Sequence, residues 1–145
     1  MADHSYGTAM LALFEGERRG WNVETLLKLA LLHDLEESIT GDLTPEDKKR
    51  RGAARVRRER SLAVGRLLLT FPARSRASYR RLWRDLRMSR TREARLVHQL
   101  DKIELALQAR AYSRQTRKAV SDFYRSARVA VHDQALVKIL DSFAS

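Results

Sequence analysis

One segment of this sequence, residues 23–37, is rich in leucine and ends in charged and imidazole side chains. Its apolar residues cover almost the whole circumference of a helix with 3.6 residues per turn. A helix of this kind belongs at the centre of a fold, packed by other elements on most sides. His33, Asp34 and Glu37 nevertheless stand at its carboxyl-terminal end. The sequence therefore predicts a buried helix whose last turn needs partners for its charges.

The remainder of the chain also has the pattern of a helical protein. Its 145 residues contain only two prolines and six glycines, and no long segment alternates with period two. Asn22 is a good N-cap, and Thr44 followed by Pro45 is a strong helix start. Helices are predicted at residues 5–19, 23–37, 45–71, 76–87, 92–107, 117–131 and 132–143. We therefore expect an all-α fold, a single bundle of about six to seven helices.

The charge balance is strongly basic, and arginine supplies most of it. The chain has 23 Arg and 6 Lys against 18 acidic residues, which gives a net charge of +11. Such a surface attracts anions, whether nucleic acid, a membrane surface or a phosphorylated small molecule. The basic stretch at residues 48–60 is also typical of a solvated helix face. A G+C-rich coding sequence is a second ordinary source of an arginine bias. Charge alone does not select a partner.

Several classes of protein are excluded by what the sequence lacks. It has no cysteine, so neither a disulfide framework nor a thiolate metal site is possible. The longest apolar runs, at residues 29–32 and 67–69, are far shorter than a membrane span. The first residues lack the basic and apolar regions of a signal peptide. We expect a cytoplasmic protein with no membrane partner.

The charges at the end of the leucine-rich helix favour a metal site. Burying an unpaired carboxylate costs roughly several kcal/mol, and a divalent cation compensates that cost. Imidazole combined with carboxylate suits Mn²⁺, Fe²⁺, Co²⁺, Ni²⁺ or Zn²⁺ better than Ca²⁺. His33 and Asp34 are only two ligands, so others have to come from elsewhere. Asp101, a further acid within an apolar stripe, is one candidate.

The residues by themselves leave ordinary interpretations open. A histidine at a helix end, such as His33, interacts favourably with the helix dipole, and Asp34 beside it fits a surface aspartate. His4, near the amino terminus, is by itself typical of a mobile terminal residue. His98, three residues before Asp101, is more typical of a packing histidine than of a ligand.

The order of these residues resembles a known family. A histidine, a His-Asp pair and an aspartate stand on successive predicted helices, as in the HD superfamily of metal-dependent phosphohydrolases. The surrounding residues are similar to those of the HD-domain 5′-deoxynucleotidases, which remove phosphate from deoxynucleoside 5′-monophosphates. The resemblance spans nearly the whole chain and rests on four segments: residues 2–6 (ADHSY), 32–42 (LHDLEESITGD), 99–102 (QLDK) and 122–124 (DFY).

The resemblance implies one divalent ion (Mn, Co, Fe, Ni, Zn or Mg) and a set of residues that serve it. The implied ligands are His4, His33, Asp34 and Asp101. The implied catalytic acids are Glu37 and Asp42. We expect Glu37, one turn beyond His33, to orient or activate the attacking water, and Asp42 to serve the leaving group or orient the substrate. A capping or salt-bridge role for Glu37 and a turn role for Asp42 are the alternatives, and Glu36 is expected to be exposed.

The resemblance also implies a substrate, an assembly and the range of the domain. The expected substrate is a nucleotide monophosphate and the expected assembly a homodimer, while nucleic acid is not the favoured partner. Family members usually carry an additional N-terminal helix ahead of the His4 position, so residues 1–145 are expected to form one HD domain without it. The alternatives are another HD phosphohydrolase, either a phosphodiesterase or an alarmone hydrolase, and a basic nucleic-acid-binding protein with a structural metal site. The acidic pair Glu36 and Glu37 followed by Ser38 argues against the alarmone hydrolase.

Overall fold

The fold is entirely helical in a computed structural model that describes residues 2–41, 44–111 and 117–142. These residues contain no strand and form nine helices: α1 (Ala2–Arg19), α2 (Val23–Leu32), α3 (Leu35–Thr40), α4 (Pro45–Arg51), α5 (Ala53–Leu68), α6 (Ala73–Arg87), α7 (Arg92–Ala111), α8 (Arg117–Ala130) and α9 (Gln134–Ser142). The predicted all-α class is confirmed, whereas the predicted number of helices, six to seven, is too low.

The number is higher because two of the predicted helices each divide in two. The helix predicted over residues 23–37 ends at Leu32, and Asp34 has φ −104° and ψ 7°, in the bridge region of backbone angles. The helix predicted from residue 45 onward is interrupted at Gly52, where φ is +81° and ψ is +134°. Glycine adopts such angles without a steric penalty, so the sequence did contain a signal for this second break.

The helices α1, α2 and α7 form the centre of the fold, where each contacts the other two. Their fully buried apolar side chains include Ala12, Leu26, Leu29, Val97 and Leu100. Gly16 permits the close approach of α1 and α2, because a Cβ at this position would lie 2.8 Å from Leu26 Cδ1. The helix α2 is less enclosed than predicted, since Leu31 is 61% exposed. One face of the leucine-rich helix is therefore uncovered.

The other helices surround this centre. The helix α3 packs on α5, and α5 on α6, where Val64, Leu68 and Trp83 form a smaller apolar cluster. The helix α8 packs on α7 and α9. Gln99 on α7 accepts hydrogen bonds at 2.8 Å from the backbone N–H groups of residues 132 and 133, immediately before α9. None of the described helices is both long and apolar enough to span a membrane.

The break at Gly52 can be tested against a second glycine in the adjoining helix. Gly52→Ala is expected to lower the free energy of unfolding by about 1–3 kcal/mol, because a Cβ is strained at φ +81°. A Cβ added at Gly65, inside α5, would have no atom within 4 Å apart from the backbone of its own helix. Gly65→Ala is therefore expected to raise the free energy of unfolding by about 0.5–1 kcal/mol. Urea unfolding of both variants measures these effects, and equal effects would contradict the assigned backbone angles.

Candidate metal centre

Four polar side chains meet beside the central helices. His4 lies in the first turn of α1, His33 and Asp34 lie between α2 and α3, and Asp101 lies in α7. The Nε2 atoms of the two histidines are 3.2 Å apart. Asp34 Oδ2 is 3.2 Å from His33 Nε2 and 3.6 Å from His4 Nε2. Asp101 Oδ1 is 3.1 Å from His4 Nε2, so all four predicted ligands lie together.

The second nitrogen of each imidazole ring is held by an acceptor. His33 Nδ1 lies 2.5 Å from the backbone oxygen of Ala30, and His4 Nδ1 contacts the carboxylate of Glu104. A carbonyl and a carboxylate oxygen only accept hydrogen bonds, so both Nδ1 atoms donate. Each ring therefore turns its Nε2 atom toward the other ring. Metal-binding histidines in proteins typically hold their remaining N–H in this manner.

The spacing of these donor atoms fits a first-row divalent ion. Ligands about 2.1 Å from an ion lie about 3.0 Å from their neighbours in octahedral geometry and about 3.4 Å in tetrahedral geometry. The four donor separations given above range from 3.1 to 3.6 Å. Two facing Nε2 atoms accommodate one proton or one cation between them, and the adjacent carboxylates favour the cation with the higher charge. The residues present therefore fit a divalent metal.

The carboxylates make this position favourable for positive charge. Hydrogen bonding to Asp101 raises the pKa of His4 to about 9, against the opposing effect of burial. Burial by itself lowers the pKa of His33, but the hydrogen bond with Asp34 and the charge of Asp34, together with the hydrogen bond to the Ala30 carbonyl and the charge of Asp101, outweigh it, and this pKa is also raised. Burial raises the pKa of Asp101, yet its hydrogen bond with His4 and the neighbouring Lys102 bring that pKa down to about 2.

Glu104 supports His4 and was missed in the sequence analysis. Its side chain is 6% exposed, and it lies one helical turn after Asp101 on α7. Gly7 on α1 makes room for it, because a Cβ at Gly7 would lie 2.5 Å from Glu104 Oε1. The three-residue spacing of Asp101 and Glu104 puts two acids on one helix face, and this was the available sequence signal.

A cleft of about 410 Å³ opens over His4, Asp34 and Asp101. Its walls include Glu37, Lys102, Leu105 and Gln108. Lys102 Nζ lies 3.0 Å from Asp101 Oδ2, at the border between the cleft and the polar group. The volume is in the range of small-molecule binding sites. The cleft therefore gives a small ligand access to the candidate metal position.

Glu37 and Glu36 are both held by arginines. Arg60 Nη2 donates to Glu37 Oε1 at 3.0 Å, and Arg60 Nη1 donates to Glu36 Oε1 at 2.6 Å. Arg87 Nη1 donates to Glu36 Oε2 at 2.7 Å. The expectation that Glu36 is exposed was wrong: it is 8% exposed, because two guanidinium groups from α5 and α6 compensate its burial. Glu37, by contrast, reaches the cleft.

Asp42 and His98 are not part of this cluster as the structure describes it. Asp42 lies outside the described residues, so its catalytic role stays a prediction. His98 Nε2 forms a hydrogen bond with the backbone oxygen of Leu86 at 2.8 Å, as expected of a packing histidine.

Comparison with known proteins assigns the fold that holds this centre. A family model described as HD domain matches residues 1–142. The chain belongs to the HD domain family. The matched range includes the His-Asp pair of the sequence analysis, His33 and Asp34, the two residues between α2 and α3.

This HD domain also has curated relatives and a solved structural neighbour. It is 32% identical over 128 residues to 5′-deoxynucleotidase HDDC2 of Mus musculus (87% of this chain, 63% of the relative). It is 32% identical over 144 residues to 5′-deoxynucleotidase HDDC2 of Danio rerio (98% and 70%). The chain spans only 61–63% of the length of the Xenopus laevis, Mus musculus and Bos taurus relatives. A crystal structure from Pyrococcus horikoshii OT3 superposes with a TM-score of 0.75 at 26% identity (97% of this chain, 80% of that one).

The role of Glu104 in orienting His4 is testable by metal titration. Glu104→Gln replaces a charged acceptor with a neutral one, and we expect about a tenfold to hundredfold loss of Mn²⁺ or Co²⁺ affinity. Gly7→Ala should act in the same direction by displacing Glu104. Glu93→Gln, at the start of the same helix, is the control. Unchanged affinity in both the Glu104 and the Gly7 variants would contradict this role.

Metal binding by this HD domain should depend on pH. Without metal, the pKa of His4 is about 9, so its imidazole is protonated at neutral pH. A metal has to displace that proton from Nε2, and affinity therefore rises with pH until about pH 9, by about tenfold per pH unit for one proton. Calorimetric titration with Mn²⁺ at several pH values measures the slope. A flat profile between pH about 6.5 and 8.5 would contradict the displacement of a proton from His4 by the metal.

Proposed function

We propose that this HD domain is a metal-dependent phosphomonoesterase that removes phosphate from deoxynucleoside 5′-monophosphates. The observation that carries the proposal is the pair of facing Nε2 atoms, 3.2 Å apart and flanked by two carboxylates beneath an open cleft. The substrate class is supported by relatives that are named 5′-deoxynucleotidases and are 30–32% identical to this chain. The proposal treats residues 1–145 as one HD domain.

The proposed metal site uses the two imidazoles and two carboxylates. His4, His33, Asp34 and Asp101 would hold the ion, and the mixture of nitrogen and oxygen donors favours a transition metal such as Mn²⁺ or Co²⁺. A bound divalent ion supplies Lewis-acid chemistry, in which a phosphoryl oxygen is polarised and the pKa of water is lowered. Glu104 and the Ala30 carbonyl accept the Nδ1 hydrogens of the two rings and so leave both Nε2 atoms free to hold an ion.

Glu37 is the proposed acceptor of the proton from the attacking water. Arg60 donates a hydrogen bond to Glu37 Oε1, so Oε2 is the oxygen that would receive the proton in the cleft. General-base catalysis by a positioned carboxylate contributes about 10²–10⁴-fold to the rate. Lys102, at the cleft border, would attract the phosphate dianion. Asp42 is proposed to serve the leaving oxygen or to orient the substrate.

We further propose a homodimer and a cytoplasmic location. Phe14 and Leu31 are 58% and 61% exposed, and apolar surface of this kind is common where subunits meet. The absence of cysteine is compatible with the cytoplasm. Light scattering over a range of protein concentrations tests the assembly.

The activity is tested by phosphate release in the presence of Mn²⁺ or Co²⁺. Deoxynucleoside 5′-monophosphates are expected to be hydrolysed, whereas cyclic and diester substrates are not. Glu37→Gln should lower kcat by about 10²–10⁴-fold while metal affinity is little changed. Glu17→Gln, on the exposed side of α1, is the control.

Two outcomes would contradict the proposed function. If metal-loaded protein released phosphate from no monophosphate in the panel, the phosphomonoesterase proposal would be wrong. If it cleaved diesters instead, the activity would be that of a phosphodiesterase on the same centre. Loss of metal together with activity in Glu37→Gln would assign Glu37 to metal binding and remove it as the base.

A further inference from the structure

The positive charge of the chain is concentrated on two consecutive helices. α5 and α6 carry eleven of the 23 arginines and only two acidic residues, Glu59 and Asp85. They therefore contribute +9 of the net charge of +11, although they make up less than a quarter of the chain. An arginine bias that arose from coding composition would spread along the sequence. The concentration calls for a structural or functional reason.

A groove runs between these two helices. Two adjoining cavities of about 330 and 270 Å³ share Ser61, Trp83 and Arg84 in their walls. We call this recess the arginine groove, after the five arginines that line it: Arg57, Arg80, Arg84, Arg87 and Arg90. Among the described residues, no acidic side chain lines either cavity.

Most of the arginines in the groove form no ion pair with an acidic side chain in the described part of the chain. Arg87 is paired with Glu36, and Arg90 lies 4.0 Å from Asp85. The other three arginines, Arg57, Arg80 and Arg84, are exposed and form no ion pair with any carboxylate in the described part of the chain. Guanidinium groups collected on one face repel one another, and an anion that enters the groove relieves that repulsion.

We propose that the arginine groove binds the phosphate backbone of a single-stranded nucleic acid without regard to its sequence. Guanidinium groups match the oxygens of phosphate in a bidentate manner. The residues of α6 that line the groove run from Arg80 to Arg87, about 10 Å along the helix axis, and Arg57 and Arg90 add to this row of charges, so that it faces more than one phosphate of a strand. A mononucleotide is shorter than this row of charges. The inference goes beyond the proposed function and does not rest on it.

The floor of the groove indicates why binding is independent of sequence. Trp83 is only 7% exposed, and Arg87 lies over its ring, with the guanidinium carbon 5.2 Å from the ring centroid. Its face is therefore not available for stacking on a base. Contacts are left to the guanidinium groups, which reach phosphates rather than base edges. Residues of both α5 and α6 line the groove, so a single nucleic-acid strand lying in it would be contacted from two sides.

The test is the binding of a fluorescently labelled oligo-dT of about 15 nucleotides, without terminal phosphate, followed by anisotropy at about 50 and 200 mM salt. The groove variant combines Arg57→Gln, Arg80→Gln and Arg84→Gln. The matched control combines Arg18→Gln, Arg125→Gln and Arg128→Gln, on helices that pack against α7. Both variants lose the same charge, and all six side chains are exposed.

We expect salt-dependent binding by the unmodified chain and by the control. The groove variant should bind at least tenfold more weakly at the lower salt, and the slope of log affinity against log salt should fall by about 2 for three lost phosphate contacts. Metal binding should be the same in all three proteins, and thermal unfolding should be the same in the groove variant as in the unmodified chain. Affinity should also rise with oligonucleotide length, from about 3 to about 15 nucleotides.

Several results would overturn the proposal. One is the absence of binding at low salt, and another is an equal loss of affinity in the groove variant and the control. If pyrophosphate or ATP bound as tightly as the long oligonucleotide and displaced it, the groove would be a site for a small polyphosphate. If the groove arginines were needed for binding to phosphatidylserine vesicles but not to oligo-dT, the partner would be an anionic membrane surface instead.

Discussion

Three carboxylates, those of Asp34, Asp101 and Glu104, are withdrawn from bulk water around two imidazole rings where α1, α2 and α7 meet. Their mutual repulsion and lost hydration would destabilise this contact if no positive charge stood among them. The pKa of His4, raised to about 9 largely by Asp101, shows how strongly the position favours such a charge. The packing of the three central helices therefore depends on the proton or cation that the two Nε2 atoms face, and metal loading should be coupled to the stability of the fold.

The parts of the site that could be predicted from the sequence are those that violate a local pattern. His33 and Asp34 end an otherwise apolar helix, and Asp101 interrupts an apolar stripe, so each is visible without any knowledge of the fold. His4 has no such local signal, and only the family resemblance indicated it. The contact between Gly7 and Glu104 joins two helices that are far apart in sequence, and a glycine in α1 does not by itself reveal which side chain needs its space.

The helical class was predictable from periodicity, but the helix ends were not. The apolar pattern continues through Leu35, yet α2 ends at Leu32. In a continuous helix, adjacent side chains point about 100° apart, which separates a neighbouring histidine and aspartate. The bridge-region angles of Asp34 break the helix there, and Asp34 Oδ2 lies 3.2 Å from His33 Nε2. The geometry of the site thus prevails over local helix propensity, as backbone departures at functional positions often do.

Glu36 ties the metal centre to the arginine-rich helices. Arg60 contacts both Glu36 and Glu37, so the position of Glu37 in the cleft depends on how α5 packs against α3. Arg87 on α6 holds the other oxygen of Glu36, which makes one buried carboxylate the meeting point of three helices. The inward-facing arginines, Arg60 and Arg87, are thus paired with the acids Glu36 and Glu37 beside the cleft. In the arginine groove on the same two helices, Arg57, Arg80 and Arg84 have no acidic partner among the described residues, and this is where a polyanion would bind.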